Sequence, residues 1–177
     1  MSDLVDGEWV TSQYGASGFT IATPQVLKRM TPIKSKDSVP LPVETEIYAY
    51  QSHLAPFSIA LEVVTFREKP KITLDDIGEQ ILKSFEAKGA TKLIVKYDEY
   101  ESPTGIKGLK MYGTGIFVDE ESPFGGTQES AYEAYIFEEG RGVQILKMLH
   151  AEDDEQAEKI VARILNSITQ TEKNDNR

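Results

Sequence analysis

A chain of 177 residues is the length of one domain, able to bury roughly 70% of the surface its unfolded form exposes. It has no cysteine, which excludes disulfides, thiolate zinc sites and a cysteine nucleophile. Its net charge of −10 is uneven, with 7 Lys/Arg and 8 Asp/Glu in residues 1–72 against 12 and 21 in residues 73–177, a surface that repels nucleic acid and anionic membrane alike.

Residues 1–14 read as a polar N-terminal tail pinned to the body by Trp9. Phe19 to Pro24 is a short strand stopped by a proline, which cannot donate to a ladder, and Gln25 to Met30 continues it or turns. Thr31 to Pro42 is a proline-rich loop. Glu44 to Gln51 alternates Thr45, Ile47 and Ala49 against Glu46, Tyr48 and Tyr50; a corner at His53 to Pro56 leads into a second strand, Phe57 to Phe66, rich in β-branched and aromatic residues.

Leu74, Ile77, Ile81, Leu82 and Phe85 recur at helical spacing and predict a helix over 74–88 with one apolar stripe. Thr73 with Asp76 resembles a capping box, and Gly89 stands where a left-handed C-cap falls. The period then changes to two, with Leu93, Val95 and Tyr97 alternating with Lys92, Ile94 and Lys96. After the turn signal Glu101 to Gly105, a strand runs from Ile106 to Val118. Asp119 to Gln128 is a loop; Ser130 to Phe137 and Gly142 to Leu149 form a hairpin around its glycines. The last helix is predicted from Asp154 to Thr169, with Asp153 as N-cap, and residues 171–177 as a C-terminal tail.

Moving the closing stripe, Ala157, Ile160, Val161, Ile164, Leu165 and Ile168, back by 83 positions lands on Leu74, Ile77, Gly78, Ile81, Leu82 and Phe85. Either this is the spacing of any amphipathic helix, or it marks a pseudo-repeat whose helices dock in related ways. Short connections between successive strands predict one α+β domain over 15–170, a mainly antiparallel β-sheet of about six or seven strands flanked by helices. The opening Phe-x-Ile-x-x-Pro at Phe19 to Pro24, the strand pair, the helix after Ile72-Thr73, the glycine-punctuated strand Gly105 to Phe117, the hairpin and the closing helix together resemble the PsbP-like family. That family includes an extrinsic subunit of photosystem II and a Ran-GTPase release factor. The resemblance implies an α/β/α sandwich and a non-catalytic role in binding or assembly.

The residues themselves offer little chemistry. The only imidazoles, His53 and His150, read as surface histidines near carboxylates, and no Gly-x-Ser-x-Gly elbow is present. The acid clusters Asp119-Glu120-Glu121 and Glu152 to Glu155 lack the spacing of a calcium loop, so no metal and no cofactor is expected. Gly108, Gly113 and Gly115, in one strand, signal a bend, a bulge or close backbone approach instead of a phosphate loop.

Two surfaces remain as candidates. Tyr48, Tyr50, Tyr112, Tyr132 and Tyr135 lie on predicted strands and could line one sheet face, either as cross-strand packing or as a groove. Phe124, with Asp119, Glu120 and Glu121 beside it, sits in a loop longer than its turn requires and either folds back to cap the sheet edge or is the candidate partner contact. The expectation is a non-enzymatic domain binding a protein partner with a basic surface; the alternative is a carrier of a small apolar ligand on the tyrosines. No nucleic acid and no membrane insertion are expected. The acidic N-terminus has no signal-peptide pattern, which reads as cytoplasmic as written, and as exported or membrane-tethered if the chain is a trimmed piece of a longer one.

Overall fold

The computed structural model describes residues 6–14, 19–30, 43–51, 57–66, 73–118, 126–139 and 142–170. In chain order the elements are β1 (Val10–Gln13), β2 (Phe19–Thr23), β3 (Lys28–Met30), β4 (Val43–Gln51), β5 (Phe57–Phe66), α1 (Leu74–Ala87), β6 (Thr91–Glu101), β7 (Lys107–Val118), β8 (Thr127–Glu139), β9 (Gly142–Ala151), α2 (Glu155–Ser167) and β10 (Thr169–Gln170). The fold is α+β: a seven-stranded antiparallel sheet in the order β3-β4-β5-β9-β8-β7-β6, with a smaller sheet β1-β2-β10.

The large sheet is flanked on both faces, and the pleat of β8 shows how. Successive side chains of a strand point to opposite faces. Tyr132, Ala134 and Ile136 therefore face one way, packing with Ile77 and Ile81 of α1 and with Leu109, Met111, Val143 and Ile145. Tyr135 and Phe137 face the other way, packing with Ala157, Ile160, Val161 and Ile164 of α2 and with Ile59, Leu61, Leu146 and Met148. Both cores rest on non-directional burial of apolar side chains, worth about 1.5–3 kcal/mol for each large one fully enclosed.

Each helix begins as its sequence dictates. The Thr73 hydroxyl accepts from Asp76 N and the Asp76 carboxylate accepts from Thr73 N, which closes the capping box of α1. Those hydrogen bonds hold the Asp76 carboxyl below its ordinary value. Gly89 takes φ 93 just past the helix, a left-handed conformation that costs glycine nothing. For α2 the N-cap is Asp154, one residue later than the sequence suggests: its carboxylate accepts from Gln156 N and Ala157 N, while Asp153 sits at φ 58.

The shared stripe of the two helices serves opposite faces of one sheet, so it is amphipathic spacing put to the same use twice. Gly78 occurs where α2 has Val161 because the Tyr97 ring lies against it; a Cβ there would meet Tyr97 Cε1 at 2.8 Å.

The polar tail expected over residues 1–14 is in part structured. Val10–Gln13 pair with β2, Tyr14 is buried and its hydroxyl accepts from Leu27 N at 3.0 Å, and the Arg163 guanidinium stacks 4.1 Å over the Trp9 ring. β10 pairs with the other edge of β2, and Ala22 N donates to Ser167 Oγ at 2.9 Å. Tail residues 171–177 lie outside the described residues.

Candidate functional site

On the α2 face, register carries a line of side chains across three strands. Lys110 stands beside Tyr135, Tyr112 beside Glu133, and Ala131 beside His150. Helix α2 covers the β5, β9 and β8 side of this face and leaves part of β7 open. Between the helix flank (Glu158, Val161, Ala162, Leu165) and the strands lies a trough of about 380 Å3, which Lys110, Tyr112, Glu133, Tyr135 and His150 also line. One end of the helix is tied down: the Thr104 hydroxyl, in the β6–β7 turn, donates to Ile168 O at 2.6 Å.

Glu133 is the hub of the trough. Its Oε1 accepts the Tyr135 hydroxyl at 2.7 Å and lies 3.6 Å from Lys110 Nζ; its Oε2 lies 3.3 Å from His150 Nε2. Burial by itself would push the Glu133 carboxyl up, but hydrogen bonds from His150 and Tyr135, with the Lys110 and His150 charges, outweigh it and hold the group below the ordinary carboxylate value. His150 shows the mirror case. Burial would lower it, yet hydrogen bonds to Glu133 and to the Ala151 carbonyl, with the Glu133 and Asp154 charges, raise it. Its Nδ1 faces Ala151 O at 2.9 Å, so both ring nitrogens face groups that only accept, an arrangement that favours the imidazolium.

The aromatic side of the trough is equally well partnered. Lys110 Nζ lies 4.6 Å from the Tyr112 ring centroid and 5.7 Å from that of Tyr135. The Tyr112 hydroxyl donates to Asp98 at 2.9 Å, and Tyr100 packs edge-on to Tyr135 with centroids 4.8 Å apart. Burial first, then the neighbouring Glu133 charge and hydrogen bond, drive the Tyr135 phenol far above its ordinary range. In that state the phenol donates to Glu133.

No family model matches the chain, and no curated protein does. Among solved structures the chain is similar to the crystal structure of LpqN, involved in cell envelope biogenesis of Mycobacterium tuberculosis. The two share 12% sequence identity at a TM-score of 0.45, over 93% of this chain and 91% of that chain. That likeness is too distant to carry an argument.

The five tyrosines singled out from the sequence do not share one surface. Tyr112 and Tyr135 line the trough from adjacent strands. Tyr48 and Tyr50 point to the same sheet face, but β5, β9 and the helix-covered core intervene, and Tyr48 is buried with its ring 5.0 Å from Tyr14. Tyr132 is on the α1 face, packed by Phe85 at 5.3 Å, with its hydroxyl donating to Ile94 O at 2.8 Å; burial pushes that phenol up to about 12.

His150, read as a surface histidine, is 4% exposed, stacked at 6.4 Å with Phe57. A surface reading fails because its nearest carboxylate comes from the neighbouring strand and its lid from β5. Phe124, Asp119, Glu120, Glu121 and His53 lie outside the described residues. Glu133 and Lys110 are the site residues that sequence reasoning missed. The signal was strand parity: Glu133 shares a face with Tyr135 and Phe137, so a charge there points at the core.

Of the readings for the glycines, close backbone approach holds: the bulge itself lies on the neighbouring strand β6, against which they pack. Register shifts between Thr91 and Ile94, and Lys92 takes φ 51. Gly113 lies directly beneath the displaced Ile94 carbonyl, where any Cβ would collide with it, and a Cβ on Gly115 would meet Leu93 Cδ2 at 2.6 Å. Among the described residues no helix is long and apolar enough to cross a membrane.

Proposed function

We propose that this protein is a non-enzymatic binding domain whose site is the half-covered α2 face, with an extended segment of a protein partner as the occupant. The observation that carries the reading is the trough itself: an open channel between a helix flank and a sheet, apolar on the helix side, with a hydrogen-bonded polar floor. A segment laid there would place apolar side chains against Val161, Ala162 and Leu165 and basic ones toward Glu158 and Asp98, in keeping with the acidic second part of the chain.

A binding role is preferred over acid–base catalysis because the titratable groups are already committed. His150 has no free ring nitrogen, the Tyr135 proton is held by Glu133, and Glu133 accepts from both while Lys110 neutralises it. Such a network makes a rigid floor more readily than a proton shuttle. The PsbP-like reading belongs with this proposal, supported by the order of strands and helices and by the opening Phe19 to Pro24.

The second reading is a small-ligand carrier, favoured by a volume within the roughly 300–1,000 Å3 of ligand pockets and by the rings of Tyr112 and Tyr135. A wholly apolar ligand would strip water from Lys110, so this reading calls for a ligand with a polar end.

A photo-crosslinking amino acid at position 112, and at position 60 on the opposite face, separates these cases. Crosslinks to a protein at 112 alone, abolished by Leu165→Asp without loss of folding, support the partner segment. Equal labelling at both positions, or no protein adduct together with a thermal shift from amphipathic small molecules, overturns it.

A further inference from the structure

The outer edge of β6 is a second surface, adjoining the trough where the Tyr112 hydroxyl donates to Asp98. β6 closes the seven-stranded order, and among the described residues no strand pairs with its outer side. Edge strands are commonly blunted by scattered charge. Here the charges are sorted by sign along the strand: Lys92 and Lys96 come first, then Asp98, Glu99 and Glu101. A strand pairing antiparallel with a second copy of itself reverses that order, so the basic end of each copy lies over the acidic end of the other.

We propose that β6 is a self-pairing edge, and that a second copy of this chain docks on it about a twofold axis at Tyr97. The sheets then join into one, with both α2 faces on the same side. Such an axis, perpendicular to the sheet, pairs residues of equal pleat parity, and each choice of centre can be read off the sequence. Centring on Lys96, Asp98 or Glu99 sets a charge against its own copy, and centring on Tyr100 sets Glu99 against Glu101. Centring on Val95 draws on Lys92, where the bulge and a φ of 51 break the ladder.

Centring on Tyr97 sets Lys96 against Asp98 twice and Ile94 against Tyr100 twice, all on the α2 face. Directly opposed side chains have Cβ atoms about 5 Å apart and the like-charged diagonals about 7–8 Å, so the attractive contacts dominate. Exposure agrees: Ile94 is 57% exposed, the most open large apolar side chain among the described residues, and Tyr97 is 38% exposed at the axis. Lys96 and Asp98 are exposed as well, and Lys96 has no ion pair within its own chain among the described residues.

The test is sedimentation equilibrium of the wild type, Lys96→Asp, Asp98→Lys and the double variant, which restores the original net charge. Each single reversal turns two attractive contacts into two repulsive ones and weakens self-association by about tenfold or more. The double variant restores it, because the opposed signs return with their places exchanged. A wild type that stays monomeric across the concentration range overturns the proposal. So do single variants that dimerise as before, or a folded double variant that fails to recover. If the double variant does not fold, hydrogen exchange of the wild type decides. Protection of amides in 94–100 that rises with protein concentration supports the pairing, and protection independent of concentration overturns it.

Discussion

His150 Nε2 and Glu133 Oε2 lie 3.3 Å apart, with the His150 side chain 5% and the Glu133 side chain 18% exposed, so each group titrates in the field of the other. The histidine is raised above its ordinary value of 6.5 and the carboxyl lowered below its ordinary 4.5. A raised histidine contributes stability that is complete below its unfolded value and is lost as pH climbs through the folded one. A depressed carboxyl contributes above its unfolded value and loses it as pH falls through the folded one.

The first prediction is therefore a stability maximum between about pH 4.5 and 6.5, with a decline on either side. His150→Gln should flatten the alkaline limb and leave the rest of the acid limb in place. Melting temperature against pH for the two proteins checks this; parallel curves above pH 6.5 would show that His150 is not the group that titrates.

Tyr135→Phe keeps the ring against Tyr100 and removes only the hydroxyl that Glu133 accepts at 2.7 Å. The expected cost is about 1–2 kcal/mol, since the lost bond goes to a charged and mostly buried acceptor. Urea unfolding measures it. The Glu133 carboxyl should also titrate at higher pH in the variant, visible by NMR, because one of the bonds that held it down is gone.

Gly113→Ala and Gly126→Ala make a matched pair. The first places a methyl against the Ile94 carbonyl and near the Tyr132 hydroxyl that it accepts from, while the second meets nothing within 4 Å. The expectation is a loss of about 2 kcal/mol or more at 113 and a change within about 0.5 kcal/mol at 126. Equal effects would mean that the β6 bulge adjusts freely.

Ile81→Asp and Ile164→Asp probe the two faces separately, at 4% and 0% exposure. Each buries an unpaired carboxylate and should unfold the domain or cost upward of about 4 kcal/mol. Circular dichroism on heating settles it; variants that melt within a degree or two of wild type would refute the packing of both helices.

The helices and the long strands were legible because each carries a strong local signal. The stripe from Leu74 to Phe85, the Thr73–Asp76 box and Gly89 all concern residues within a few positions of one another. Parity within β8 was available but unused: Tyr132 and Tyr135 are three positions apart and must face opposite ways on a strand, so they could not line one face together. The sequence does not tell which parity meets which helix, because that is set by pairing across β7, β8 and β9. His150 was misread for the same reason. Its burial depends on Phe57, more than ninety positions away and in register with it across β5 and β9. Strand β1 escaped notice because Val10–Gln13 are largely exposed and owe their conformation to β2.

The small sheet has a consequence for how the protein is made. Its central strand, β2, is bordered on one side by β10, with Thr20 opposite Thr169 and Phe19 opposite Gln170. A ribosome delivers residue 19 long before residue 170, so β2 must wait through most of elongation for one of its two neighbours. At roughly 5–20 residues per second that wait lasts on the order of ten seconds. Over that interval the chain holds an incomplete sheet, and closing so wide a loop carries an entropic cost that only the finished pairing offsets. A nascent chain stalled with residues 169–170 still inside the exit tunnel should be far more open to protease at β2 than one stalled on a C-terminal extension long enough to bring them out.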